Sequence, residues 1–146
     1  MPDSGVEARV RAADLVISFE PFPDEPDIKS WAKGKIGGKL YLIPKTYRIE
    51  PSAVLIEIMG FKAKDGVIFA PGKEFDIHGT RHGRGRGWYD RLLSGVPKSW
   101  LRVGVCFEDQ ISQTPLERKE WDQPMDALLV FKNADTKIWE IQSIDK

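Results

Sequence analysis

Residues 79–91 read Gly-Thr-Arg-His-Gly-Arg-Gly-Arg-Gly-Trp-Tyr-Asp-Arg, with Gly83, Gly85 and Gly87 alternating with Arg84 and Arg86. Glycine lets the backbone adopt positive φ and approach a ligand without a Cβ in the way. Successive N–H groups in such a loop can converge into an anion-binding nest. Trp88, Tyr89, Leu92 and Leu93 recur at helical spacing, which predicts a helix from about Trp88 to Leu93. Its first turn adds unpaired N–H groups and the positive end of a helix dipole. Arg81, Arg84 and Arg86 supply forked cationic donors that match phosphate oxygens. The segment is therefore read as a phosphate-cradling loop leading into a helix. The competing readings are a solvated loop and an RGG-like RNA contact, and the latter lacks surrounding aromatic interleaving and a net basic charge.

Asp90 falls in the first turn of that helix, beside the expected phosphates. A carboxylate there either bridges to phosphate through Mg²⁺, which accepts one or two carboxylates plus phosphate oxygens and water, or complements the helix dipole. Asp122 and Asp126 bracket Gln123-Pro124-Met125. Asp beside Pro is a common turn former, and either residue is a second metal ligand if this loop neighbours the Gly-rich one. Other chemistries find no support. His78 and His82 lie in a Gly-containing loop without a third ligand at zinc spacing. No nucleophile elbow, Walker A lysine or dinucleotide fingerprint is present.

The elements that must position these residues follow from apolar patterning. Ser4 to Glu7 fits a capping box opening a short helix through about Ala13. Leu15–Phe19 reads as a strand stopped by Pro21 and Pro23, and Pro26 opens a second short helix with Ile28 and Trp31 on its buried side. Lys39–Ile43 is another strand, while Ala53–Met59 and Gly66–Ala70 are the third and fourth apolar runs. A Gly-rich polar loop then runs from Pro71-Gly72 to Gly87. Leu101–Phe107 and Ala127–Phe131 have the continuous apolar character of strands buried on both faces. Thr136–Ile141 alternates as an edge strand does. Strands interleaved with short helices imply an α/β layered fold around a largely parallel sheet. The Gly-rich loop sits at a strand's carboxyl end, where such sheets bind ligands.

The 146 residues suit one domain, spanning 1–146, and 41% apolar with 30% charged residues is an ordinary soluble balance. The 22 basic and 22 acidic side chains cancel, so no global field attracts nucleic acid or anionic membrane, and any anion site is local. The single cysteine, Cys106, lies in an apolar run and reads as a buried small hydrophobe. No apolar stretch reaches membrane-spanning length and no signal-peptide pattern is present. A cytoplasmic location is expected.

The stretch Pro71-Gly72-Lys73-Glu74-Phe75-Asp76, followed by Gly79 to Asp90, resembles the signature of the 5-formyltetrahydrofolate cyclo-ligase family, also called methenyltetrahydrofolate synthetases. Val103 to Gln110 is similar to the family's strand ending in glutamine. Trp121 to Asp126 is similar to its aspartate-containing loop, although Trp121 stands where His or another polar residue is common. Phe19 to Asp27 resembles the strand and acidic turn that help hold the folate, with Glu25 at the acidic position. The likeness extends from about Leu15 to Phe131. It implies a layered fold of the NagB/RpiA/CoA-transferase kind, with helices flanking a largely parallel sheet.

The resemblance also implies ATP- and Mg²⁺-dependent closure of 5-formyltetrahydrofolate to 5,10-methenyltetrahydrofolate. The formyl oxygen attacks the γ-phosphate, N10 attacks the activated carbon, and phosphate leaves. On that basis Arg81, His82, Gly83, Arg84, Gly85, Arg86, Gly87, Trp88 and Tyr89 would bind ATP, with Arg81 and Tyr89 catalytic. Glu25, Gly85, Gly87 and Trp88 would bind the reduced folate, and Asp90 and Asp122 would hold Mg²⁺. Family members carry a Lys/Arg pair for ATP on an N-terminal helix, and Arg9 and Arg11 do not align with that pair. Two alternatives stand beside this one. One is a catalytically altered relative that binds a nucleotide or phosphorylated metabolite. The other is an RNA-binding module using the Arg/Gly loop.

Overall fold

A computed structural model describes residues 5–83, 87–132 and 135–140. In chain order the elements are α1 (Gly5–Ala12), β1 (Leu15–Phe19), α2 (Lys29–Ala32), β2 (Lys39–Ile43), α3 (Pro51–Gly60), β3 (Gly66–Pro71), β4 (Glu74–Phe75), β5 (Arg81–His82), α4 (Trp88–Gly95), β6 (Leu101–Phe107), β7 (Ala127–Lys132) and β8 (Asp135–Glu140). Six strands form one sheet in the order β2-β1-β3-β6-β7-β8. The first five are mutually parallel and β8 pairs antiparallel to β7. The fold is thus the α/β layered architecture with a largely parallel sheet that the sequence predicts. Ser4, the expected cap of α1, and Ile141, the expected end of β8, lie outside the described residues.

β1 and β3 are buried along their whole length, as parallel strands covered on both faces must be. The chain leaves β1 for β2 on one side and returns past β1 to β3 on the other. Because parallel crossovers are right-handed, that reversal puts α2 on one face and α3 and α4 on the opposite one. It also makes the carboxyl ends of β1 and β3 the topological switch point, where open α/β sheets bind ligands. Cys106 is fully buried in β6, as its apolar neighbours predict.

Three segments differ from the expected pattern. Helix α2 begins at Lys29 with Ile28 as its N-cap, so Pro26 precedes the helix and does not open it. The apolar run Ala53–Met59 lies within α3, opened by Pro51 in the first turn. A short apolar run has no periodicity that separates strand from buried helix, and Pro in the first turn is the deciding signal. The polar stretch after Pro71 is also more ordered than a loop, because β4 and β5 form a small antiparallel hairpin. Asp76 makes it: Oδ1 accepts from the N–H groups of His78 (2.9 Å) and Thr80 (3.0 Å), and Oδ2 from Leu116 N–H (2.8 Å). Phe75 anchors the hairpin as a fully buried side chain. Arg81 and His82 consequently belong to a strand.

Candidate active site

A cleft of about 780 Å³ opens at the switch point. Glu20, Phe22 and Glu25 reach it from the turn after β1. Pro44, Lys45 and Thr46 come from the segment after β2, and Pro71 and Gly72 from the end of β3. The hairpin strand β5 contributes Arg81 and His82, followed by Gly83, and α4 contributes Trp88, Tyr89, Asp90 and Arg91 after Gly87. The opposite wall is the β6–β7 connection, through Glu117, Lys119, Trp121 and Asp122.

Arg81 lies at the centre of this arrangement. It is 6% exposed. Its Nε–H donates to Pro71 O at 2.6 Å, and its guanidinium sits 5.0 Å from the Tyr89 ring centroid. Burial pushes the guanidinium's pKa down, while the negative charges of Asp90, Glu25 and Asp122 pull it back up. Three carboxylates drawn from three separate segments therefore converge electrostatically on one buried cation. Gly83 closes against it: a Cβ there would stand 2.9 Å from Arg81 Nη2 and 3.2 Å from Nη1. A side chain at this position would push the guanidinium tip aside.

Tyr89 is 5% exposed, and its ring meets Trp88 edge-on at 4.9 Å. Burial first, and then the charge of Glu25, raise its hydroxyl above the ordinary tyrosine range, with Arg81 opposing. The phenol therefore stays protonated at neutral pH. Trp88 is fixed by Nε1–H donating to Ile49 O at 2.9 Å. Glu25 Oε1 accepts from Phe22 N–H at 2.8 Å within a turn closed by Glu25 N–H to Phe22 O at 2.9 Å. Gly87 begins α4 with φ +66°, a left-handed conformation that favours glycine.

The loop carrying Asp122 is brought to Asp90 by direct bonds. Asp90 Oδ1 accepts from Gln123 N–H at 3.1 Å. Asp122 Oδ2 accepts from Lys119 N–H at 2.8 Å, and Asp122 N–H returns to Lys119 O at 3.0 Å. Each carboxylate spends one oxygen on these backbone bonds. The connection is laid along the hairpin by His82 Nε2 with Glu117 O (2.6 Å) and by Arg118, which donates to Thr80 Oγ1 (3.0 Å) and His78 O (2.9 Å). Among the described residues no group of three or more His, Cys, Asp or Glu side chains is arranged to hold a metal ion. Asp90 and Asp122 both line the cleft, two carboxylates of the kind that Mg²⁺ accepts beside phosphate and water.

Every described residue that the sequence singled out for the site lines this one cleft: Glu25, Arg81, His82, Gly83, Gly87, Trp88, Tyr89, Asp90 and Asp122. Arg84, Gly85 and Arg86 lie outside the described residues. Asp126 is separate. Its Oδ2 accepts from Arg102 N–H at 3.0 Å, so it ties the starts of β6 and β7 together. Arg9 is also remote, bonded to Ser99 O (2.9 Å) and Asp65 (3.4 Å) at the amino ends of β6 and β3. Sequence reasoning missed Glu20, Phe22, Lys45, Thr46, Glu117 and Lys119. The signal for the first four was position just past β1 and β2, the strand ends where α/β sheets bind ligands.

The model of the 5-formyltetrahydrofolate cyclo-ligase family matches residues 39–131, well over half of the chain. The chain belongs to that family. It is 31% identical over 93 residues to a probable 5-formyltetrahydrofolate cyclo-ligase of Schizosaccharomyces pombe, covering 55% of this chain and 44% of the yeast protein. It is 38% identical over 66 residues to the 5-formyltetrahydrofolate cyclo-ligase of Haemophilus influenzae, covering 44% of this chain and 34% of that protein. The matched region thus spans less than half the length of either relative. The fold is similar to that of the 5,10-methenyltetrahydrofolate synthetase of Aquifex aeolicus, with a TM-score of 0.58 at 22% identity over 97% of this chain and 84% of the other. The synthetase of Mycoplasma pneumoniae aligns with a TM-score of 0.55 at 14% identity over 88% of each chain. Within this cyclo-ligase family the match includes the hairpin, α4 and the Asp122 loop, but not Glu25, which lies upstream of it.

Proposed function

We propose that this chain, as one domain over residues 1–146, is a cytoplasmic cyclo-ligase that closes 5-formyltetrahydrofolate to 5,10-methenyltetrahydrofolate with ATP and Mg²⁺. The observation that carries the proposal is the buried Arg81 guanidinium, which shares the switch-point cleft with Asp90, Glu25 and Asp122. Phosphoryl transfer needs positioning and charge stabilisation more than covalent help from the protein. In this proposal the formyl oxygen attacks the γ-phosphate and ADP leaves. N10 then attacks the activated formyl carbon, and orthophosphate departs as the ring closes.

Arg81 is the fixed electrophilic donor to the charge that builds on the transferred group. Preorganised donors of this kind lower the barrier because no reorganisation is needed during reaction. Tyr89 supports it from one side through its ring, and its protonated hydroxyl supplies a further donor. Gly83 and Gly87, with His82 and with Arg84 to Arg86 between them, wrap the phosphates. Asp90 and Asp122 hold Mg²⁺, which when bound neutralises phosphate charge. Glu25 and Trp88 bind the folate, the carboxylate accepting N–H groups and the indole giving an apolar wall.

A thermal-shift titration tests the proposal. ATP with Mg²⁺ and 5-formyltetrahydrofolate should each raise the melting temperature, because a ligand bound only to the native state adds about 2.7 kcal/mol at a hundredfold excess over its dissociation constant. No shift with either ligand would refute it. A shift with nucleotide alone would favour the altered relative.

A further inference from the structure

Of the tryptophans with described side chains, Trp31 and Trp100 are buried in the core and Trp88 is half-buried and hydrogen-bonded. Trp121 is 60% exposed and belongs neither to the core nor to the apolar residues packed on it. An isolated exposed apolar side chain is ordinary on a protein surface. Trp121 differs because it lines the cleft and stands on a turn that is fixed on both sides. Asp122 and Lys119 close the turn through two hydrogen bonds. Gln123 N–H ties it to Asp90 at the start of α4, and Gln123 Nε2 reaches Trp121 O at 3.4 Å. The ammonium of Lys119 lies 5.4 Å from the indole centroid, an attraction to the electron-rich ring face. The backbone beneath the ring is therefore set before any ligand arrives.

Resting on the proposed nucleotide and folate occupancy of the cleft, we propose that Trp121 is a stacking platform for the planar heterocycle of a cleft ligand. A purine base and a pterin both offer that chemistry. A large flat ring held over an open cleft gains stacking and apolar contact at little cost in conformational freedom. Its neighbour Asp122 and the nearby Asp90 fix the charged part of the same ligand set. Trp121 is then a binding residue that determines which ring the cleft accepts, and it touches none of the reacting atoms.

Calorimetric titration of wild type, Trp121→Ala and Trp121→Phe tests this in two arms, MgATP alone and 5-formyltetrahydrofolate alone. Truncation to alanine should weaken at least one arm by roughly 5- to 150-fold, the range that alanine substitution gives for base–aromatic stacking. Phenylalanine should restore most of that loss, and the melting temperature of the unliganded protein should stay near wild type. The arm that weakens identifies the ring. Unchanged affinity in both arms overturns the inference and leaves the proposed function standing. Losses that phenylalanine does not restore mark disruption of the turn and overturn it as well. Wild-type protein that binds neither ligand refutes the proposed function, and this inference with it.

Discussion

Replacing Arg81 with methionine would remove the cleft's buried cation while keeping much of the side chain's length. The fold should tolerate the change. Loss of the 2.6 Å bond to Pro71 O costs about 1.5–3 kcal/mol, the usual range for a hydrogen bond to a charged group. Loss of the contact with the Tyr89 ring at 5.0 Å costs a further ~1–2 kcal/mol for a desolvated cation–π pair. Against these stands the relief of burying a charge, which is several kcal/mol per ion and is only partly returned by paired carboxylates. The net is a destabilisation of about 1–3 kcal/mol, read as a melting temperature lower by roughly 3–10 °C in a chain of this size. Activity should fall much further. Removing one preorganised donor from a developing oxyanion typically costs about 10²–10³ in kcat. Arg81→Lys keeps the charge but not the planar fork, and should also lose at least about tenfold. Parallel thermal melts and initial rates separate the two effects. A folded Arg81→Met protein that turns over within about threefold of wild type would refute the assignment of Arg81 as the electrophilic donor.

Gly83→Ala would place a Cβ 2.9 Å from Arg81 Nη2 and displace a guanidinium already pinned at Nε. Misplacement by about 1 Å can cost ~10²-fold, so kcat should fall tens-fold with little change in melting temperature, and equal proportional losses would contradict this. Asp90→Asn keeps an acceptor for Gln123 N–H but removes a charge. It should weaken MgATP binding more than tenfold while costing only about 0.3–1 kcal/mol of helix-dipole stabilisation, and unchanged nucleotide affinity would reduce Asp90 to a dipole partner. Burial, and then the charge of Asp109, raise the Cys106 thiol from its ordinary 9.0 to about 12. Because the native pKa lies above the unfolded one, the thiol's contribution to stability is intact below about pH 9 and is lost as pH rises towards 12. Alkylation at pH 8 should therefore require unfolding, and rapid labelling of native protein would show the site to be open.

Much of the cleft was legible because its chemistry is local in sequence. Residues 81–90 carry the glycines, Arg81, Tyr89 and Asp90 within one short span, and the helix from Trp88 announces itself by spacing. What stayed hidden depends on distant parts of the chain. The Asp90–Gln123 bond spans 33 residues, so the alternatives for Asp122 and Asp126 could not be separated before the fold brought one of them to the cleft and left the other at the base of β6. The β4–β5 hairpin was invisible because its strands are two residues each and are stabilised by Asp76 and by Phe75 packing, not by alternation. Helix α3 hid behind a run of apolar residues because Ile56 and Met59 put apolar side chains on its exposed face, where polar residues would have marked the period.

The reaction proposed for this cleft couples ATP to ring closure of a formylated folate. Incubating the chain with 5-formyltetrahydrofolate, ATP and Mg²⁺ while following the absorbance of methenyltetrahydrofolate and released orthophosphate tests it directly. Product should require both ATP and Mg²⁺, with one orthophosphate released per ring closed. No methenyltetrahydrofolate at enzyme concentrations equal to substrate, from protein that melts cooperatively, would contradict it.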